Sequence, residues 1–173
     1  MALSPAGRIA PDTPAGVLRL LFPTPFARVA RQEAEQAGLD PRVLFAVLRQ
    51  ESRFSPSATS WVGARGLAQV MPATAEGIAV QLGIAGFDPD ELYRPAAGLR
   101  FGAFYLGRQM RSFNNNIQAA AAAYNGGPGN AQRWLEVSNH PDRFTELIDY
   151  RETREYVKIV YGNWGMYRML YGR

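Results

Sequence analysis

Apolar residues recur three and four positions apart along the chain after Pro25, and strict alternation of apolar and polar residues is rare. This spacing is typical of amphipathic helices that share one core. The sequence therefore predicts a mainly α-helical protein with at most a very short β element. Helices are predicted over residues 26–37, from 41 to about 51–53, and over 72–82, 96–113, 117–124 and 152–170, with a short helix around Trp134.

Proline and glycine mark the predicted ends of these helices. Asp40 and Pro41 are typical of an N-cap followed by the first helical position, and the Ser55-Pro56 pair ends the same helix. Residues 57–71 contain two glycines and lack helical periodicity, so they are predicted to form a structured loop with a short strand pair near 67–71. A second, polar loop is predicted over residues 138–142.

The first 25 residues differ from the rest of the chain. They contain five prolines and one short apolar run, 17–22, which is interrupted by Arg19. This is not the pattern of an ordinary signal peptide. We interpret residues 1–25 as a linker or the tail of an upstream region, and residues 26–173 as one domain.

Composition narrows the possible classes of function. Hydrophobic residues make up 47% of the chain and charged residues 20%, which excludes a disordered polymer. The absence of cysteine and the single histidine exclude thiol catalysis and leave little for a metal site. The net charge of +4 favours an anionic partner such as nucleic acid, an acidic membrane surface or cell wall.

Two of these partners lack further support in the sequence. The basic residues are scattered, and no helix-turn-helix or zinc pattern is present, so nucleic-acid recognition is not predicted. No stretch of about 18 uninterrupted apolar residues exists, so no membrane span is predicted.

One acidic residue lies on the apolar face of a predicted helix. Glu51 follows Leu44, Val47 and Leu48 at the i, i+3, i+4 and i+7 spacing, which places its carboxyl on the core side or at a cleft wall. Partial burial raises the pKa of a carboxyl and allows it to act as a general acid. The alternative is an ion pair with a nearby arginine, namely Arg49, Arg53 or Arg65.

A second carboxylate is not found close to Glu51 in the sequence. No Asp or Glu occurs between Ser52 and Ala75, although glycoside hydrolysis usually uses a pair of carboxylates. This arrangement suits a reaction in which one group first donates and then accepts a proton. Glu152, far along the chain, could still fold back beside it.

Three motifs carry a family resemblance, and the first of them lies in two neighbouring segments. Residues 51–60 read E-S-R-F-S-P-S-A-T-S, and 63–75 read G-A-R-G-L-A-Q-V-M-P-A-T-A. Residues 123–129 read A-Y-N-G-G-P-G, and 152–157 read E-T-R-E-Y-V. In this order they resemble the three motifs of the soluble lytic transglycosylases.

The resemblance implies a lysozyme-like α fold and an enzyme, a lyase, that cleaves the MurNAc-β-1,4-GlcNAc bond of peptidoglycan without water and leaves 1,6-anhydro-MurNAc ends. Glu51 matches the single catalytic acid and base of the family. Glycan strands would be the partner, with no metal and no cofactor. A periplasmic or envelope location is implied, with a secretion signal that this chain does not contain, and an additional upstream domain is compatible with the match.

Other positions match substrate-binding residues of the family. Ser60 matches a serine that contacts the N-acetyl group, and Gln69 and Met71 match residues that line the groove. Ala68 departs from the pattern, because the family has methionine there. If Ala68 lines the groove, the change alters glycan contacts or local packing.

The second and third motifs supply the remaining positions. Tyr124 matches the tyrosine whose hydroxyl approaches the catalytic carboxyl or the sugar, and Asn125 begins the turn that presents it. Glu152 matches a carboxylate that supports the site, although the first turn of a helix also favours glutamate. Tyr156 belongs to an aromatic stripe that we interpret as core.

Two alternatives stay open at this stage. A hydrolytic muramidase similar to goose-type lysozymes would use the same fold and produce reducing ends. A non-catalytic module would bind peptidoglycan through its arginine-rich surface without turnover.

Overall fold

The computed structural model describes residues 12–138 and 140–172, and this part of the chain is predominantly helical. Two isolated antiparallel bridges, Thr59 with Arg65 and Arg65 with Val70, are its only β pairing. A 3₁₀ helix, Pro89–Tyr93, lies between the fourth and fifth α-helices. The α-helices are α1 Ala15–Leu21, α2 Ala27–Gln36, α3 Pro41–Ser52, α4 Pro72–Gln81, α5 Pro95–Ser112, α6 Ile117–Gly126, α7 Pro128–Val137, α8 Pro141–Leu147 and α9 Arg151–Tyr171.

Local sequence explains where α3 begins and ends. The Asp40 side chain accepts a hydrogen bond from the Arg42 backbone N–H at 2.9 Å, and Pro41 occupies the first helical position. After α3, Arg53 and Phe54 take left-handed φ angles of 50° and 66°. The chain thus turns sharply directly after the helix and enters the loop 57–71.

The core is built around α5 and α6. Leu99, Ala103, Leu106 and Met110 form the buried face of α5, as predicted. Residues 119–123 of α6 are five consecutive alanines, all buried, which lets neighbouring helices approach closely. The helices α3 and α9 pack against each other, and α9 also packs against α6.

Two parts of the predicted element pattern were wrong in detail. The polar loop predicted over 138–142 ends earlier, because Pro141 opens α8, whose Phe144 is fully buried. The sixth helix runs through Asn125 and Gly126, two residues past the predicted end, and stops at Gly127 with φ 88°.

The N-terminal segment carries a short helix beside the domain. Phe22, directly after α1, is 5% exposed and belongs to the core. The hydroxyl groups of Tyr167 and Tyr171 donate to the carbonyls of Pro23 and Phe22 at 2.9 and 2.8 Å. These bonds attach the segment to α9. The boundary at residue 25 stays a prediction, and residues 1–11 lie outside the described part.

No helix in the described ranges combines the length and the apolar character that a membrane crossing requires.

Candidate active site

Glu51 lies in the last turn of α3, next to the loop 57–71, and its residue surface is only partly exposed. The neighbouring Ser52 hydroxyl donates to the Leu67 carbonyl at 2.7 Å, which ties the end of α3 to the loop. The apolar spacing along α3 therefore brings a carboxyl to the edge of the core, where the loop passes over it.

Among the residues that the structure describes, one hydrogen-bond donor lies close to the carboxyl of Glu51. The Tyr156 hydroxyl donates to its Oε1 at 2.5 Å from a position 105 residues away in sequence. Burial raises the pKa of Glu51 from 4.5 to about 7, with the hydrogen bond from Tyr156 acting in the opposite direction and the charge of Glu152 adding to the increase. Near neutral pH this carboxyl is therefore balanced between its protonated and ionised forms.

The ion-pair alternative for Glu51 is not what the structure shows. Arg65 pairs instead with Asp90 at 2.8 Å, and the Arg49 guanidinium lies over the Phe22 ring at 4.4 Å. Within residues 12–138 and 140–172, no salt bridge involves Glu51. Its raised pKa is consistent with this, because an adjacent cation would lower it.

Two tyrosines whose hydroxyl groups are buried stay neutral beside Glu51. Burial and the charge of Glu51 hold the pKa of the Tyr124 and Tyr156 hydroxyls well above 10. The Tyr124 hydroxyl donates a hydrogen bond to the Ala68 carbonyl at 2.8 Å, so in this structure it anchors the loop. Tyr156 alone of the two donates to the carboxyl.

Sequence reasoning did not assign Tyr156 to the site. The residue is 5% exposed, so its placement in the core stripe is correct, but its hydroxyl reaches the carboxyl. Its position at i+4 from Glu152 puts both on one side of α9. A buried tyrosine hydroxyl on an otherwise apolar stripe needs a hydrogen-bond partner, and this requirement could have pointed to Tyr156 as a site residue.

The loop residues predicted to meet the sugar also hold the loop together. The Ser60 hydroxyl accepts from the Ala64 backbone N–H at 2.9 Å. Gln69, at φ 46°, donates through Nε2 to the carbonyls of Ala58 at 3.0 Å and Gly66 at 2.9 Å. The amide nitrogen of Gln69 therefore secures the loop.

Met71 and Tyr124 line a common recess. Met71 precedes α4 and is 40% exposed. A cavity of about 70 Å³ is bounded by Gln69, Val70, Met71, Thr74, Tyr105 and Tyr124. The structure thus brings three of the predicted residues, from the loop and from α6, to one small depression.

Asn125 and Glu152 lie at the facing ends of α6 and α9. The Thr153 hydroxyl donates to Asn125 Oδ1 at 2.7 Å and joins the two helices. Both Asn125 and Glu152 are exposed, and Glu152 is close enough to Glu51 for its charge to raise the pKa of that carboxyl.

Ala68 lies in a packing contact with α5. Its side chain is fully buried, and a Cβ placed on Gly102 would stand 2.3 Å from the Ala68 Cβ. The Ala68 side chain therefore does not line the groove. Alanine in place of the family's methionine changes local packing here, and not the contacts with a glycan.

Among the described residues, no three His, Asp or Glu side chains are grouped as metal ligands.

The described residues thus form a small helical domain of the lysozyme-like class, with a carboxyl of raised pKa at the end of a helix and next to an irregular loop. The family model described as the transglycosylase SLT domain matches residues 28–146. The chain belongs to this family.

Relatives from two bacteria carry names of the same family. The soluble lytic murein transglycosylase of Escherichia coli K12 is 34% identical over 157 residues, covering 87% of this chain and 24% of the relative. That of Salmonella typhimurium is 39% identical over 134 residues, covering 74% of this chain and 20% of the relative. This chain therefore spans about a quarter or less of their length.

Solved structures show the same fold. The lytic transglycosylase Slt of Pseudomonas aeruginosa, determined as an inactive glutamate-to-glutamine variant, superposes with a TM-score of 0.82 at 38% identity, over 88% of this chain and 25% of that one. The 70 kDa soluble lytic transglycosylase of Escherichia coli gives 0.84 at 34% identity, over 90% and 26%. The predicted lysozyme-like α fold is confirmed.

Proposed function

We propose that this chain is a lytic transglycosylase domain, a lyase that cleaves the MurNAc-β-1,4-GlcNAc bond of peptidoglycan and leaves 1,6-anhydro-MurNAc ends. The observation that carries the proposal is the Glu51 carboxyl, whose pKa of about 7 lets one group hold a proton and release it at neutral pH. The names of the relatives supply the substrate class.

In the first step the protonated Glu51 donates its proton to the glycosidic oxygen as the bond between C1 and that oxygen breaks. The leaving sugar departs as an alcohol, and Glu51 becomes a carboxylate. Because Tyr156 occupies Oε1, Oε2 is the oxygen that carries the transferable proton. The hydrogen bond from Tyr156 then stabilises the new negative charge.

In the second step the carboxylate accepts the proton of the C6 hydroxyl of the same MurNAc. The C6 oxygen attacks C1 and closes the 1,6-anhydro ring, and Glu51 returns to its protonated form. No water is consumed. A single group with a pKa near the working pH serves both proton transfers, which fits a site built around one carboxyl.

The remaining predicted residues would position the strand. Met71 offers an exposed thioether in the recess, and Gln69, whose nitrogen holds the loop, offers Oε1 to a sugar hydroxyl. The Ser60 hydroxyl accepts from the backbone and keeps its proton for a sugar oxygen. Asn125 and Glu152 lie exposed at the adjoining helix ends, where they can meet the strand. A periplasmic location follows from this substrate.

Product analysis on intact sacculi tests the proposal. We expect anhydro-muropeptides, which are about one water lighter than hydrolysis products, and a loss of about 10²-fold or more in Glu51→Gln. Reducing ends throughout would instead identify a hydrolytic muramidase. Binding to sacculi without any product would identify a non-catalytic module, and full activity in Glu51→Gln would reject the assigned mechanism.

A further inference from the structure

Trp61 is the most exposed large apolar side chain in the described residues. It is 97% exposed at the tip of the loop 57–71, whereas Trp134 is 1% exposed. Val62 beside it is 50% exposed. An indole is the largest side chain available to bury, so its complete exposure gives nothing to the folded state and leaves its whole face for a ligand.

The backbone that presents Trp61 is a closed turn. The Gly63 N–H donates to the Ser60 carbonyl at 2.9 Å, and the Ser60 N–H donates to the Ala64 carbonyl at 3.0 Å. Gly63 has φ +89°, a conformation that glycine adopts without strain. Trp61 is therefore displayed on a fixed turn, and few degrees of freedom are lost when its ring is covered.

Further contacts fix this turn to the body of the domain. The hydroxyls of Thr59 and Tyr93 are 2.7 Å apart, and Arg65 pairs with Asp90 at 2.8 Å, so both sides of the loop are attached to the 3₁₀ helix. None of these bonds uses the Trp61 side chain. Its ring can be removed without removing a contact that holds the loop.

The same loop continues to the candidate site. The Ala58 carbonyl accepts from the Gly66 N–H at 2.9 Å and from Gln69 Nε2 at 3.0 Å. Gln69 lines the recess beside Met71, and Ser52, next to Glu51, is bonded to Leu67. One rigid loop thus carries the recess at its base and the free indole at its tip.

We propose that Trp61 forms an outlying glycan subsite, where its ring stacks on the apolar face of a sugar other than the two that are joined by the cleaved bond. The proposal rests on the proposed function, because the strand in the groove brings that sugar to the tip of the loop. A pyranose ring presents C–H groups on its flat face, and these complement the negative face of an aromatic ring.

The surroundings of Trp61 favour a sugar over a lipid surface. Side chains that insert into a membrane interface usually form a large apolar face bordered by several lysines or arginines. The residues flanking Trp61 and Val62 are Ser60 and Gly63, and Thr59 adds a second hydroxyl. Hydroxyl groups on the same loop as one exposed ring match the mixed polar edge and apolar face of a sugar.

Binding to the uncleaved strand tests the subsite. In the Glu51→Gln background, long uncrosslinked glycan strands should protect tryptophan fluorescence from iodide quenching, because the other two tryptophans are buried or half-buried. Trp61→Ala should raise the Kd for these strands about tenfold and leave the Kd for a disaccharide unchanged. Val80→Ala, which removes an 81% exposed apolar side chain from α4, is the matched control and should change neither.

The possible results of this experiment distinguish the Trp61 subsite from the proposed Glu51 mechanism. A Kd for Trp61→Ala within twofold of its parent, or an absence of iodide protection, would overturn the subsite. Protection by anionic phospholipid vesicles and not by strands would assign Trp61 to a lipid surface and also overturn it. Because binding is measured without turnover, a failure of the Glu51 mechanism would leave this result standing. The melting temperature of Trp61→Ala should match its parent, since no packing is lost.

Discussion

Replacing Tyr156 by phenylalanine removes one hydroxyl from the candidate site and keeps the buried ring. The lost hydrogen bond joins the Tyr156 hydroxyl to Glu51 Oε1 at 2.5 Å, and it favours the ionised carboxylate. Without this bond, burial and the charge of Glu152 still raise the pKa of Glu51, and the hydrogen bond that lowers it is gone. The pKa of Glu51 should therefore rise above about 7.

The size of this rise follows from the strength of the bond. A hydrogen bond to a charged group contributes about 1.5–3 kcal/mol, and one pKa unit corresponds to about 1.4 kcal/mol. We expect the midpoint to rise by about one to two pH units. Since Glu51 must be protonated for the first step, the decline of activity at high pH should move upward by the same amount.

Carbon-13 NMR of glutamate-labelled protein measures the midpoint directly, with Glu51→Gln used to assign the signal. The pH profile of sacculus solubilisation gives an independent value. Tyr161→Phe is the matched control, because Tyr161 lies on the same helix and is 44% exposed. A midpoint in Tyr156→Phe that is unchanged or lower would refute the role given to this hydrogen bond.

Two further predictions concern stability. The pKa of the Glu51 carboxyl is raised from 4.5 to about 7 in the folded state, so its ionisation lowers the free energy of unfolding as the pH rises through this range. Glu51→Gln cannot ionise and should therefore be more stable than the parent by up to about 3 kcal/mol above pH 7. Urea unfolding should show no difference between the two below pH 4.5. A pH-independent difference would contradict this. Gly102→Ala should lower the free energy of unfolding by about 1–3 kcal/mol, because its Cβ would stand 2.3 Å from that of Ala68. Gly162→Ala, where a Cβ meets nothing within 4 Å, should instead raise it by about 0.5–1 kcal/mol, and equal effects of the two changes would reject the packing argument.

Much of the helical pattern could be predicted because helix ends depend on nearby residues. Pro41 and Asp40 define the start of α3, and the i, i+7 relation between Leu44 and Glu51 correctly placed the carboxyl at the edge of the core. The start of α8 was predicted as loop, because its polar residues concealed a helix whose Phe144 is held by tertiary packing.

The site itself depends on contacts between distant segments. Ala68 could be read as a groove residue or a packing residue, and only its contact with Gly102 decides between them. Gln69 matches a groove residue of the family, and only the fold of the loop shows that its amide nitrogen is bonded to two carbonyls.

The sequence by itself determined the helical class, the helix bearing Glu51 and the family motifs, because periodicity and capping act over a few residues. The tertiary structure alone decided that Tyr156 donates to this carboxyl and that none of the arginines in the described ranges forms an ion pair with it. The physical reason is that the pKa of a carboxyl depends on everything that surrounds it in space. Those neighbours come together only when α3, α9 and the loop 57–71 pack on one another.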